Sequence, residues 1–194
     1  MTKIDIILAG VGGQGILSIA AAIGQAALFN NLQIKQSEVH GMSQRGGAVM
    51  SHLRISSSPI SSDLIPYGSA DLIISIEPME SLRYLPYLSS SGWVITNTKP
   101  FENIPNYPDY DTLIKTISEL PRRVFIDADQ MAHEVGSIKA SNMVMLGASV
   151  PFLSISESSI EKGIRTIFES KGIEIVELNL KAMQMGKEYA RLCH

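Results

Sequence analysis

Cysteine is nearly absent from this chain: Cys193 is the only one in 194 residues. One thiol excludes an internal disulfide framework, a cysteine-built zinc site and an iron–sulfur cluster, which takes about four thiolates. Any redox chemistry must therefore run through another chain's metal. The four histidines (His40, His52, His133, His194) are scattered, with no metal-ligand spacing. Charge is scarce as well, at 18% of residues, and 16 basic against 19 acidic side chains leave a net −3. That balance provides no basic field for nucleic acid or anionic lipid. Long hydrophobic runs are missing too. The uncharged stretch from Ile6 to Ile34 is broken by Gly10, Gly12, Gly13, Gly15 and Gly24 and by polar Gln14, Gln25, Asn30, Asn31 and Gln33. It is not a spanning helix of about 20 apolar residues. The opening does not read as a signal peptide either, because Ile6 to Ala9 is too short an apolar run and Asp5 stands where positive charge belongs. The expectation is a cytoplasmic chain with no nucleic-acid and no membrane partner.

What is present is a globular composition, 45% apolar, long enough to bury roughly 70% of its unfolded surface as one domain over residues 1–194. Ile4 to Ala9 is a β-branched apolar run stopped by glycines, the pattern of a buried strand in a parallel sheet. Ile16, Leu17, Ala20, Ile23 and Ala27 then recur at helical spacing up to Asn30-Asn31, and Leu32 to Val39 reads as a second strand. Strand, glycine turn, helix and strand make a βαβ unit. Ala48 to Ile55 alternates as a half-exposed strand, and a serine-rich loop follows. Leu72 to Ile76, Val94-Ile95 and Val124 to Ile126 read as further strands, with helices over Pro78–Leu85 and Leu113–Leu120 between them. From Gln130 the chain turns helical in three pieces, with Ser158-x-x-Glu161 as a capping box and Asn179 as the cap of a last helix facing inward through Ala182, Met183, Gly186, Ala190 and Cys193. The expected class is α/β: a three-layer, Rossmann-like, doubly wound and mostly parallel sheet with a helical C-terminal part.

Two segments carry candidate chemistry. Gly10-Val11-Gly12-Gly13-Gln14-Gly15 fits G-x-G-x-x-G between a strand and a helix. Glycines let the backbone approach a phosphate, and the helix start offers free N–H groups at its positive end. Glu38, 23 residues past Gly15, stands where a ribose-binding acid stands in dinucleotide folds. The same turn also serves simply to start a helix close to a sheet. The second segment, Ser37-Glu38-Val39-His40-Gly41-Met42-Ser43-Gln44-Arg45-Gly46-Gly47, packs glycines, a cation, an imidazole and polar donors into one loop at the carboxyl end of a strand. It is a site, an interface or a solvated turn.

Together these two runs resemble the gamma-type subunit of 2-oxoacid:ferredoxin oxidoreductases, most of all the small subunits of its indolepyruvate type. Ser69-Ala-Asp-Leu-Ile-Ile-Ser-Ile-Glu-Pro-Met-Glu-Ser-Leu-Arg83, Asn97-Thr-Lys-Pro100, Asp127-Ala-Asp129 and Asn142-Met-Val-Met-Leu-Gly147 extend the likeness over nearly the whole chain in the same order. The resemblance implies a single gamma-type domain that holds no cofactor and is inactive alone. It implies a larger partner subunit carrying thiamine diphosphate, Mg and [4Fe-4S] clusters, coenzyme A as co-substrate, and ferredoxin as acceptor through the complex. The alternative is an autonomous Rossmann protein binding NAD(P) or a flavin.

The candidate residues for an anion, for coenzyme A or for an interface are Gly10, Gly12, Gly13, Gln14, Gly15, Glu38, His40, Ser43, Gln44 and Arg45. Glu77, Glu80 and Arg83 read as a solvated helix start with a weak ion pair, and Asp127 with Asp129 as helix caps. Met42, Met131, Met143 and Met145 read as core fillers, and Gly186 as permitting close helix packing. The proline-laden segment Pro100 to Pro108, with Phe101, Tyr107 and Tyr110, is the expected docking surface for a partner.

Overall fold

The computed structural model describes residues 3–41, 46–102 and 104–193. Among them, six strands form one sheet: β1 (Lys3–Val11), β2 (Gln33–His40), β3 (Ala48–Ser56), β4 (Ala70–Ser75), β5 (Leu88–Asn97) and β6 (Arg123–Ile126), in the order β2-β3-β1-β4-β5-β6. Helices α1 (Ile16–Phe29), α2 (Pro78–Arg83), α3 (Tyr110–Ser118), α4 (Ala128–Val135), α5 (Ser141–Ser149), α6 (Glu157–Phe168) and α7 (Ile173–Leu192) cover it. Strand side chains alternate between faces. Ile6, Leu8, Leu72, Ile74 and Ile95 join the large core under α1 and α4 to α7. Ile7, Ile73 and Val94 face the opposite side, where α2 and α3 pack through Met79, Leu113 and Ile117. This is the expected three-layer, doubly wound α/β fold with a helical C-terminal part.

The sheet differs from the expected one in a single insertion. β1, β4, β5 and β6 run parallel, but β3 lies between β1 and β2 and is antiparallel to both. The first βαβ unit is thus split by the strand that follows it. The cause is polarity. β2 carries Gln33, Lys35, Gln36 and Glu38 and tolerates only an edge, whereas β3 offers Val49, Leu53 and Ile55, all buried. The half-exposed strand is therefore β2, and β3, flanked on both sides, is mostly buried.

Two caps are corrected as well. Helix α6 begins at Ser156, whose side chain accepts from the Ser159 amide, two residues before the expected box. Helix α7 begins after Gly172, so Asn179 lies inside it, buried, and donates to the Ile175 carbonyl. Cys193, expected on the inner face, is exposed. Asp127 does cap α4, accepting from Gln130 N–H at 2.9 Å.

His52 gives the fold a pH dependence. It is buried on β3, its Nδ1 accepts the Ile65 amide at 3.1 Å, and its ring meets Tyr87 edge-on. Burial pushes its pKa down, so the folded state holds the neutral ring. A base with a depressed folded pKa contributes stability above its unfolded value, and that contribution is lost as pH falls toward the folded value. Melting temperature should fall between about pH 7.5 and about pH 5.5. His52→Asn should melt lower throughout and with a flatter slope across that window; an equal slope in both proteins refutes the assignment.

Candidate functional site

In open α/β sheets the crevice lies beyond the carboxyl ends of the strands, where the crossovers diverge to opposite faces. Here that point lies between β1 and β4. From β1 the chain enters α1 on one face, and from β4 it enters α2 on the other. The two strand ends are joined directly, Ile76 N–H donating to the Ala9 carbonyl at 3.0 Å.

The glycine turn occupies the β1 side. Gly13 and Gly15 hold left-handed backbones, with φ of 103° and 80°, and a Cβ on Gly15 would stand 2.6 Å from Asn142 Nδ2. Gly15 is the N-cap of α1 and offers no side chain to cap it. Ser18 N–H donates to Gly15 O at 3.0 Å, and the Ile16 and Leu17 amides ahead of it stand at the positive end of the dipole, beside the cleft that these two residues line. Gln14 closes the turn, its Oε1 accepting Val11 N–H at 2.8 Å, so its side chain is committed to the fold. The returning segment is fastened to the same turn. Gly12 N–H donates to Gly47 O at 2.9 Å, Gly46 N–H to Gly12 O at 3.4 Å, and Gly41 N–H to Ala48 O at 2.9 Å.

Gly12, Gly13, Gly15, Ile16, Leu17, Glu38 and Val49 bound a cleft of about 270 Å³. Gly12, Gly13, Gly15 and Glu38 are thus brought together, whereas Gly10 and Gln14 belong to the same turn but do not line the cleft. The β2 backbone places His40 opposite Val49. Ser43, Gln44 and Arg45, with Met42, lie outside the described residues. The cleft presents two chemistries: helix-start amides suited to an anion, and the Glu38 carboxylate suited to a hydroxyl or N–H donor.

The β4 side overturns one expectation. Glu77 and Glu80 are not solvated; both are fully buried. Glu77 caps α2 by accepting the Glu80 amide at 2.8 Å. Its other oxygen takes the Phe101 amide at 3.3 Å and a short hydrogen bond from the Tyr107 hydroxyl. Glu80 Oε2 pairs with Arg83 at 2.9 Å, while its Oε1 is buried without a partner, and burial pushes the carboxyl pKa up. Burial and the Glu77 carboxylate also drive the Tyr107 phenol far above the ordinary tyrosine value. Tyr107 is accordingly a fold contact and not a free docking residue, whereas Phe101, Ile104 and Tyr110 remain exposed. Sequence reasoning missed this network. The one signal was Pro78, at the first turn of a helix that Glu77 could cap.

At the carboxyl end of β6, Asp129 turns inward and burial raises its pKa, although hydrogen bonds from Ser141 and Asn97 oppose the rise. Among the described residues, no group of three or more His, Cys, Asp or Glu side chains is arranged to hold a metal ion, and no helix is long and apolar enough to cross a membrane.

The pattern of the pyruvate ferredoxin/flavodoxin oxidoreductase family matches residues 5–189. The chain belongs to that family. It is a subunit of an oxoacid:ferredoxin oxidoreductase. Among curated relatives, indolepyruvate oxidoreductase subunit IorB of Archaeoglobus fulgidus is 36% identical, covering 97% of this chain and 96% of its own. The keto/oxoacid ferredoxin oxidoreductase gamma subunit of Geobacter sulfurreducens superposes with a TM-score of 0.70 at 25% identity, over 97% of this subunit and 99% of that chain. A 2-oxoglutarate:ferredoxin oxidoreductase from Magnetococcus marinus, solved with 2-oxoglutarate, coenzyme A and succinyl-CoA, superposes at 0.79 with 24% identity. That match covers 99% of this subunit but only 32% of the Magnetococcus chain, and it speaks to the fold alone.

Proposed function

We propose that this subunit is the small, single-domain component of a cytoplasmic indolepyruvate-type oxidoreductase, which oxidatively decarboxylates aryl 2-oxoacids to acyl-CoA. The observation that carries the reading is full-length identity of 36% to a protein named for that activity. A larger partner subunit holds thiamine diphosphate, Mg and [4Fe-4S] clusters, which supply decarboxylation and the exit of electrons to ferredoxin. The residues of this chain do not fit a cluster, since Cys193 is the only thiolate source.

The contribution of this chain lies at the glycine cleft. The amides of Gly13, Gly15 and the start of α1 receive an anionic group, coenzyme A being the natural one, and Glu38 receives a hydroxyl. Arg45 belongs to the loop whose ends, Gly41 and Gly46, are fastened beside that turn. Removing its charge-assisted bonds costs about 1.5–3 kcal/mol. Arg45→Ala should therefore raise the KM for coenzyme A roughly tenfold or more, with the KM for the oxoacid unchanged. If coenzyme A dependence is unchanged and only assembly weakens, His40 to Gly47 is an interface.

A second reading, an autonomous dinucleotide-binding protein, is favoured by the position of Glu38 in the cleft. The size of the cleft, about 270 Å³, does not separate the two readings, because coenzyme A is no smaller than a dinucleotide. Purification separates the two. The isolated subunit should be colourless and indifferent to NAD(H), and coexpression with the large subunit should yield a brown, active complex. Tight NAD binding by this chain alone refutes the proposal.

A further inference from the structure

A second cavity, of about 330 Å³, opens in the helical layer and shares no lining residue with the glycine cleft. It lies among the first turns of α1, α5 and α7, and Ser18, Asn142, Phe168 and Leu178 are among the residues that line it. The only charged side chains lining it are Lys139 and Lys171. Both are exposed, and neither pairs with a carboxylate among the described residues. Lys171 Nζ instead sits 5.1 Å from the centroid of the Phe168 ring. Asn142 supplies the third element. It is 7% exposed, and its Nδ2 donates to Gly15 O at 3.2 Å, which fixes the orientation of the amide. Its Oδ1 is buried and has no partner. Asn142 lines the cavity, and an unmet buried acceptor on that side chain asks for a donor.

We infer that this cavity binds an amphiphilic organic monoanion: a carboxylate between Lys139 and Lys171, an apolar one- or two-ring body against Phe168 and Leu178, and an N–H or O–H donor for Asn142. The volume is at the small end of the range for ligand sites, which suits such a molecule. Because Asn142 also holds the Gly15 carbonyl, occupancy bears on the turn that starts α1. The choice of an indole ring rests on the aryl-oxoacid reading above; the anion site does not.

The test is calorimetric titration of the full chain with indole-3-acetate. Naphthalene-1-acetate serves as the equivalent without N–H, and indole-3-ethanol as the equivalent without charge. Indole-3-acetate should saturate at about millimolar concentration or below, with each comparison compound weaker by roughly fivefold to tenfold. Lys139→Ala and Lys171→Ala, both at exposed positions, should each weaken indole-3-acetate about fivefold and leave melting unchanged. The charge-reversed double variant, Lys139→Glu with Lys171→Glu, should abolish anion binding yet keep indole-3-ethanol binding. Absence of saturation, or an affinity indifferent to the lysine changes, overturns the inference. Turnover of indolepyruvate by the assembled complex is measured alongside. Lost turnover with intact binding rejects the proposed function and leaves the cavity standing, whereas intact turnover without binding rejects the cavity alone.

Discussion

Gly186→Ala should destabilise the chain by about 3 kcal/mol or more, although the same change in an ordinary helix interior stabilises by roughly 1 kcal/mol. Helices α5 and α7 meet backbone to backbone. A Cβ on Gly186 would stand 1.9 Å from the Val144 carbonyl oxygen, and one on Gly147 would stand 1.9 Å from that of Met183. No side-chain rotation relieves either contact, because both obstacles are main chain. The helices would have to separate by more than an ångström, and α5, buried from Asn142 to Ser149, has nowhere to go. Gly24 is the control. It too is helical and buried, but its added methyl would meet only the tip of Ile34, at 3.0 Å. Gly24→Ala should be close to neutral. Denaturant midpoints decide the matter, and a Gly186→Ala protein as stable as its parent refutes the packing argument.

That glycine was legible in the sequence as a close-packing position, since a helix accepts its cost only for a reason. Other features were legible for equally local reasons. The β-branched runs at Ile4–Ala9 and Leu72–Ile76, the glycine turn and the Asp127 cap are each decided within a few residues. The place of β3 was not. Whether a strand lies inside or at the edge of a sheet depends on the neighbours it acquires, and only the polar surplus of β2 hinted at the outcome. The start of α6 slipped by two residues because Ser156 and Ser158 are chemically equivalent caps and tertiary packing chose between them.

The site divides in the same way. Local glycine chemistry announced Gly10 to Gly15, and the loop that follows β2 announced itself by composition. The link through Asn142 joins residues 127 positions apart in the chain, which no local pattern reveals. Glu77 and Glu80 were misread because charge at the start of a short helix ordinarily means solvent. Here the segment around Tyr107 folds over Glu77, and both carboxylates are withdrawn from water.

That covering makes Glu77→Ala the other large expected effect. The Glu77 carboxylate accepts the Glu80 amide, the Phe101 amide and the Tyr107 hydroxyl, so it both caps α2 and ties down the chain between β5 and α3. Loss of a cap costs about 1 kcal/mol, and each buried donor left unmet costs about 1–3 kcal/mol more. Some of this is offset because a buried charge is also removed, which leaves a net loss of about 3 kcal/mol. Tyr107→Phe keeps the ring and removes one donor, so it should cost about 1–2 kcal/mol. The double variant should fall short of the sum, because the two residues share a bond. Limited proteolysis adds a local readout. Cleavage between Pro100 and Pro108 should accelerate in Glu77→Ala more than global unfolding accounts for, and unchanged cleavage would show that the segment holds itself. The same reasoning bears on the expected docking surface. Weakened association in a Tyr107 variant would report a loosened segment, whereas Phe101→Ala and Ile104→Ala, at positions 45% and 42% exposed, report the surface itself. If those two leave association with the large subunit intact while Glu77→Ala impairs it, the segment acts by holding α2 in place, and the partner binds elsewhere.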